Sequence, residues 1–346
     1  MTRVMKFDEA LKDAKRRSHD LSVLLGNGFS IDYDSGTFTY ESLAEEARLS
    51  GLTINKEELF ESLGSRNFEI VIDNLRAAAK LQRIYSGDEA LADTMEADAL
   101  TVRNGLADTL ASRHPDKASV LTDDEVVHAR TFLSHFRRIH TLSYDLLLYW
   151  VINKEATGVR VPRTDGFEWP TLRDQSRLIW KSKPIRPQRV FFLHGALHFF
   201  VEGRRLTKLK TSYGSSIIDA LRERLNALEY PIVVTEGTRT EKEARIERST
   251  YLRTGLRRFG ELSGVLFLHG VSMSRNDDHI LESIEADSSK FVAIYVSLHG
   301  DPASPDARLV IERANEVKER RKKNGGRKLK VKFYSAQSAN VWRDNS

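Results

Sequence analysis

The chain contains no cysteine. That absence removes disulfides, thiolate nucleophiles and cysteine zinc sites together. It also lacks any apolar run near the roughly 20 residues needed to cross a bilayer. The opening residues, MTRVMKFDEALKDAKRR, are charged and have no secretory apolar core. A cytoplasmic protein with no membrane partner is therefore expected. Internal repeats and low-complexity stretches are missing too. An excess of one charge is nearly missing: 54 Lys and Arg against 49 Asp and Glu leave +5 on 346 residues. So small an excess suits an anionic ligand and gives no ground for nucleic acid as a direct partner. The densest basic stretch, residues 315–332, reads as a solvated helix and turn.

What is present is a series of short apolar runs, each closed by a turn signal. Residues 21–25 (LSVLL), 138–142, 190–193 (VFFL), 231–235 (PIVVT), 265–268 (VLFL), 291–298 and 329–334 read as buried strands. Helical patterns cover 7–17, a segment beginning near Asp145, 212–227, 241–259, 275–285 and 307–321. Residues 160–187, with Pro, Gly and Trp, read as an irregular excursion. Residues 40–135 are polar and helical in pattern, with no convincing strand. The alternation predicts an α/β fold, a doubly wound parallel sheet in one domain of 346 residues, with 40–135 as a helical insertion after the first strand.

In such sheets ligands bind beyond the carboxyl ends of the strands. The residues found there are Gly26-Asn27-Gly28-Phe29-Ser30, with the acid Asp32 soon after, then Ser143-Tyr144-Asp145, His194-Gly195, and His269-Gly270-Val271-Ser272. Glycines at a strand–helix turn let backbone N–H groups approach a phosphate. They also make ordinary tight turns. Asp145 suits a helix N-cap, and His194 suits a core histidine, as well as either suits a ligand. Ser274 and Asp277 (SRND) look like a capping box. Asp277, Asp278 and His279 are adjacent, and neighbouring helical positions point apart, so no metal site is expected from them.

The set resembles the sirtuin-like NAD-binding superfamily, and more closely a bacterial branch of sirtuin-like domains related to NAD-consuming effectors of anti-phage defence. The matching segments are LLGNGFS (24–30), HTLSYDLLLYW (140–150), FFLHGALH (191–198), VVTEGT (233–238), LHGVSMSRNDDHI (268–280) and FYSAQSANVW (333–342). The resemblance implies a Rossmann-like fold. It implies that Gly26, Gly28 and Ser30 wrap the dinucleotide phosphates, with Asn27, Phe29 and Asp32 beside them, and that Gly270 and Ser272 contact phosphate or ribose. It makes His194 the catalytic histidine, with Ser143 and Asp145 in the element that holds the nicotinamide ribose. Ser143 stands where the family usually has Asn. The absence of the family's four-cysteine zinc module favours NAD cleavage by water over deacylation of a peptide. The implied activity is a regulated NAD glycohydrolase needing no metal, acting as a homo-oligomer or with a triggering partner. The alternatives are an NAD-binding sensor without catalysis, and an assembly subunit whose helical block forms an interface.

Overall fold

The computed structural model describes residues 3–344 apart from 39, 67, 156–157, 171–177, 211–215, 228 and 235–245. The strands among these residues are β1 (Val4–Met5), β2 (Leu21–Leu25), β3 (Arg138–Thr141), β4 (Phe167–Glu168), β5 (Leu178–Trp180), β6 (Val190–Phe192), β7 (Phe199–Glu202), β8 (Arg205–Lys208), β9 (Ser263–His269), β10 (Lys290–Leu298) and β11 (Lys330–Ser335). The main sheet runs β1-β11-β10-β9-β2-β3-β6, and every neighbouring pair is parallel. Counted from β2, the order is third, second, first, fourth, fifth, sixth, with β1 added at the far edge. This is the Rossmann-like order, and its direction of growth reverses between β2 and β9.

β2 is buried along its whole length because helices cover both faces of the sheet. Successive side chains of a strand point to opposite faces. Val23 and Leu25 join one core with Ala10, Phe132 and Phe267, while Leu24 joins the other with Leu281, Ile284 and Ala314. The helices Phe7–Arg17 and Asp123–Ser134 contribute to the first face, and Asp278–Glu285 and Pro305–Lys323 to the second.

The insertion is helical as expected: Tyr40–Glu46, Lys56–Ser62, Phe68–Tyr85, Glu89–Arg113 and Asp123–Ser134, with no strand among the described residues. Phe68–Tyr85 and Glu89–Arg113 pack along one another. The end of the helix Glu89–Arg113 reaches the carboxyl edge of the sheet. There the Leu146 amide donates to His114 Nε2 at 3.1 Å.

Other expectations are corrected. Residues 160–187 are not wholly irregular: β4 and β5 lie there and pair with the β7–β8 hairpin in a separate antiparallel sheet, β4-β5-β8-β7. Strands of two and three residues are too short to show alternation in sequence. Residues 231–234 do not form a strand of the main sheet. Only Val233 pairs, by an isolated antiparallel bridge to Gly195, and Thr235 lies outside the described residues. The helix expected over 212–227 is Ile217–Asn226, with a capping box from Ser216 and Asp219. Residues 212–215 of that expectation lie outside the described residues, as do 241–245 of the 241–259 helix, whose later part is Thr250–Gly260.

Candidate functional site

Because the main sheet is parallel, the turns after β2, β3, β6 and β9 all lie at its carboxyl edge. Gly26 and Gly28 follow β2 and meet Gly270, which follows the adjacent β9. A Cβ on Gly26 would stand 2.2 Å from the Gly270 carbonyl oxygen, and one on Gly28 would stand 2.6 Å from the Gly270 Cα. Gly270 has φ +64°, a left-handed conformation that favours glycine. The three glycines are thus required by the contact of two backbones. Their amides are spent on the same contact. Gly26 N–H donates to the His269 carbonyl at 2.9 Å, Gly28 N–H to the Gly270 carbonyl at 3.0 Å, and Gly270 N–H to Ser297 Oγ at 2.9 Å. All three amides are engaged within the fold. The glycines close the switch point between β2 and β9, and polar side chains gather around it.

Those side chains form a first polar group. Ser30, on the short helix Gly28–Tyr33, and Ser143, after β3, both donate their hydroxyls to Asp145 Oδ2. Asp145 Oδ1 accepts from the Leu147 amide at 2.8 Å, where the helix Leu147–Asn153 begins. Asp145 is buried, and three donors satisfy its carboxylate. The N-cap of that helix is Leu146, so Asp145 is not the cap expected from the sequence; it bonds the first helical amide from one residue before the cap and gathers the turn of β2 to the turn of β3. Asn27 Oδ1 lies 3.5 Å from Ser143 Oγ, and its amide nitrogen donates to the Phe38 carbonyl at 3.1 Å. An amide thus stands beside Ser143 and is tied to the end of the helix Ser35–Phe38, just before the insertion. His114 sits behind this group, where burial pushes its imidazole below the ordinary value and the Asp145 carboxylate acts against that shift.

A second group forms at the end of β6. His194 is 3% exposed, and its Nε2 lies 3.1 Å from Nε2 of His279, also buried. The two rings stack with centroids 5.2 Å apart. Asp277 Oδ1 is 3.8 Å from His194 Nε2. In the sheet, β9 and β6 are separated by β2 and β3. The segment after β9 must therefore pass the ends of both to bring Asp277 and His279 to His194. Within that segment Met273 is fully buried at φ +54°, a strained conformation for a bulky residue. Its carbonyl accepts from Arg313 Nε at 3.1 Å, and the Arg313 guanidinium also binds Asp278.

This geometry revises the reading of SRNDDH. Ser274 Oγ accepts from the Asn276 amide, and Asp277 makes no side-chain cap. The argument that adjacent helical residues diverge holds for Asp278, which turns to Arg313. It does not hold for Asp277, which precedes the helix Asp278–Glu285 with φ −103° and ψ 13° and so escapes the helical turn angle.

The remaining expected residues lie apart from both groups. Asp32 is on the far side of its helix, 3.9 Å from the Arg343 guanidinium. Burial raises its carboxyl above the ordinary range, against Arg343 and His299. Ser272 is exposed and accepts from the Ser274 amide at 3.4 Å. Phe29 is buried against Trp342, whose indole N–H donates to the Phe29 carbonyl at 2.7 Å. The second His-Gly strand end has a different environment. His269 is buried, its Nδ1 is 3.0 Å from the Tyr334 hydroxyl, and burial pushes it down to about 4. Of the VVTEGT segment, residues 235–238 lie outside the described residues.

Comparison with known protein families matches residues 23–342 to the family described as Domain of unknown function (DUF4917). That span covers both strand-end groups and the insertion, and the chain belongs to this family. No curated protein matches it.

Proposed function

We propose that this member of the DUF4917 family binds NAD over the carboxyl edge of the sheet, beside the turns after β2, β3 and β6, and hydrolyses its nicotinamide–ribose bond. The observation that carries the reading is the meeting of buried His194 with His279 and Asp277 at the carboxyl edge of a Rossmann-ordered sheet. In the reaction the C–N bond breaks with its electron pair leaving on neutral nicotinamide. Water oxygen bonds to the ribose carbon, and the water proton passes to His194. The contact with His279 spreads the resulting positive charge over two rings, and Asp277 offsets it. Asn27, Ser143, Ser30 and Asp145 offer the hydroxyl, amide and carboxylate groups that orient ribose. An unrestrained NAD hydrolase would drain its own cell. The resemblance to defence effectors therefore extends the proposal to a regulated effector, held in check by assembly or a partner.

A second reading has its own support. With Ser30 and Ser143 both donated to Asp145, and the glycine amides donated internally, the first group is satisfied as it stands. That arrangement suits a nucleotide-binding sensor without turnover. Incubating the purified chain with NAD, measuring bound NAD by calorimetry and free nicotinamide and ADP-ribose by chromatography, separates the two. Stoichiometric release of both products supports the hydrolase. Saturable binding with no product supports the sensor, and neither binding nor product rejects both.

A further inference from the structure

We propose that His194, Asp277 and His279 form a binding site for one divalent first-row transition cation of the zinc class. One atom from each residue, a ring nitrogen or a carboxylate oxygen, lies within 4.8 Å of the others. Two imidazole nitrogens on one zinc ion at 2.0–2.1 Å, at a tetrahedral angle, stand about 3.3 Å apart. The Nε2–Nε2 distance of 3.1 Å is within a few tenths of that value. Asp277 Oδ1 lies 3.8 Å from His194 Nε2 and within 4.8 Å of the His279 ligand atom, so the three donors form one compact triangle. Two imidazoles and one carboxylate with a remaining open position is a donor set suited to zinc, cobalt or ferrous iron, and poorly suited to magnesium or calcium, which prefer oxygen.

The surroundings fit as well. Both histidines are buried, so their nitrogens stay dry and in place, while Asp277, with 16% of its side chain exposed, is the ligand that reaches solvent. Arg313 fixes the carbonyl of Met273 and the carboxylate of Asp278, which steadies the backbone on either side of Asp277. Without a cation the two Nε2 atoms share one proton. With a cation both lone pairs point at the ion, and the shared proton moves to Nδ1 of its ring, so neither imidazole changes charge. A cation here and the general-base role of His194 exclude one another, because an Nε2 held by a cation has no lone pair left to take the water proton.

The test is cobalt(II) titration of the full chain after chelator treatment, followed by visible absorption, with zinc as competitor. The expected result is one equivalent of cobalt with the intense bands of four-coordinate geometry, displaced by zinc. Asp277→Asn keeps the shape of the side chain. It is expected to weaken binding at least as much as the ~10–100-fold that loss of an outer-sphere partner costs. Asp287→Asn, at an exposed carboxylate just before β10 and so at the opposite edge of the sheet, is expected to leave affinity within about twofold. His279→Ala is expected to remove binding, and Asp277→Asn covers the case in which that variant fails to fold. Absence of saturable one-to-one binding, or equal affinity in wild type and Asp277→Asn, overturns the proposal. No NAD enters the assay, so its outcome is separate from that of the hydrolase reading.

Discussion

Nε2 of His194 and Nε2 of His279 lie 3.1 Å apart although the residues are separated by 85 positions in the chain. One stands at the end of the edge strand β6 and the other on the first turn of the helix that follows β9. The contact joins the two halves of the sheet across the strand ends between them. It makes the first prediction. Asp277→Ala, which a capping role would limit to a loss of stability, should lower NAD turnover by about tenfold or more by removing the charge nearest the pair. Its unfolding midpoint should shift little, because Asp277 makes no cap hydrogen bond. Steady-state kinetics beside a urea melt checks both. Unchanged turnover with a large stability loss would contradict the assignment.

The glycine contact predicts a stability effect. Gly26→Ala places a methyl 2.2 Å from the Gly270 carbonyl oxygen, where only backbone is available to move. Overpacking of this kind costs about 1–3 kcal/mol. Gly270→Ala adds left-handed strain of about 1–2 kcal/mol to a similar clash. Urea unfolding of the two variants should show both well below wild type. A loss under about 0.5 kcal/mol in both would mean that the two turns do not meet as described.

The carboxylate group predicts another. Ser143→Ala takes one of three donors from buried Asp145. Hydrogen bonds to charged groups contribute about 1.5–3 kcal/mol, so a stability loss in that range is expected. Ser143→Asn keeps a donor at the same place and should retain more stability than the alanine variant. Equal unfolding midpoints for the two would argue against the bond to Asp145.

Buried histidines set the acid limit of the fold. His269 titrates near 4 and His140 near 3 when folded, both pushed down first by burial, and His198 is lowered by the same cause. Unfolded histidine titrates near 6.5. Between the two values the unfolded chain takes up protons that the folded chain refuses. Stability is therefore full above about pH 6.5 and falls as pH drops toward 4, by about 3 kcal/mol for His269 alone. His269→Gln should flatten part of that slope. Urea midpoints at pH 7.5 and 5 measure it, and equal midpoints would contradict the burial argument.

The parallel sheet was legible because each central strand is a continuous apolar run ended by a turn residue. β2 and the helix Phe7–Arg17 have the bounds expected from the pattern. The meeting of strand ends followed from parallel order alone. Three things were not legible. β4 and β5 are too short to carry a period, and their partners β7 and β8 come later in the chain. PIVVT looks like a strand by composition, yet its backbone serves the turn after His194: Gly195 at φ +79° lies so close to Ile232 that a Cβ would stand 2.0 Å from the Ile232 carbonyl oxygen. The His194–Asp277–His279 group depends on a loop crossing two strand ends, which no local spacing records. Its nearest sequence signal was the run of acids and a histidine at a helix start, and helical geometry alone argued against it.

The measurement that tests the account most directly is nicotinamide release by wild type and His194→Ala, compared at NAD concentrations giving equal occupancy by calorimetry. The account predicts product from wild type and a loss of about 10²–10⁴-fold in the variant, with binding and the unfolding midpoint largely kept. Equal release by the two proteins, or no release by wild type at full occupancy, would contradict it.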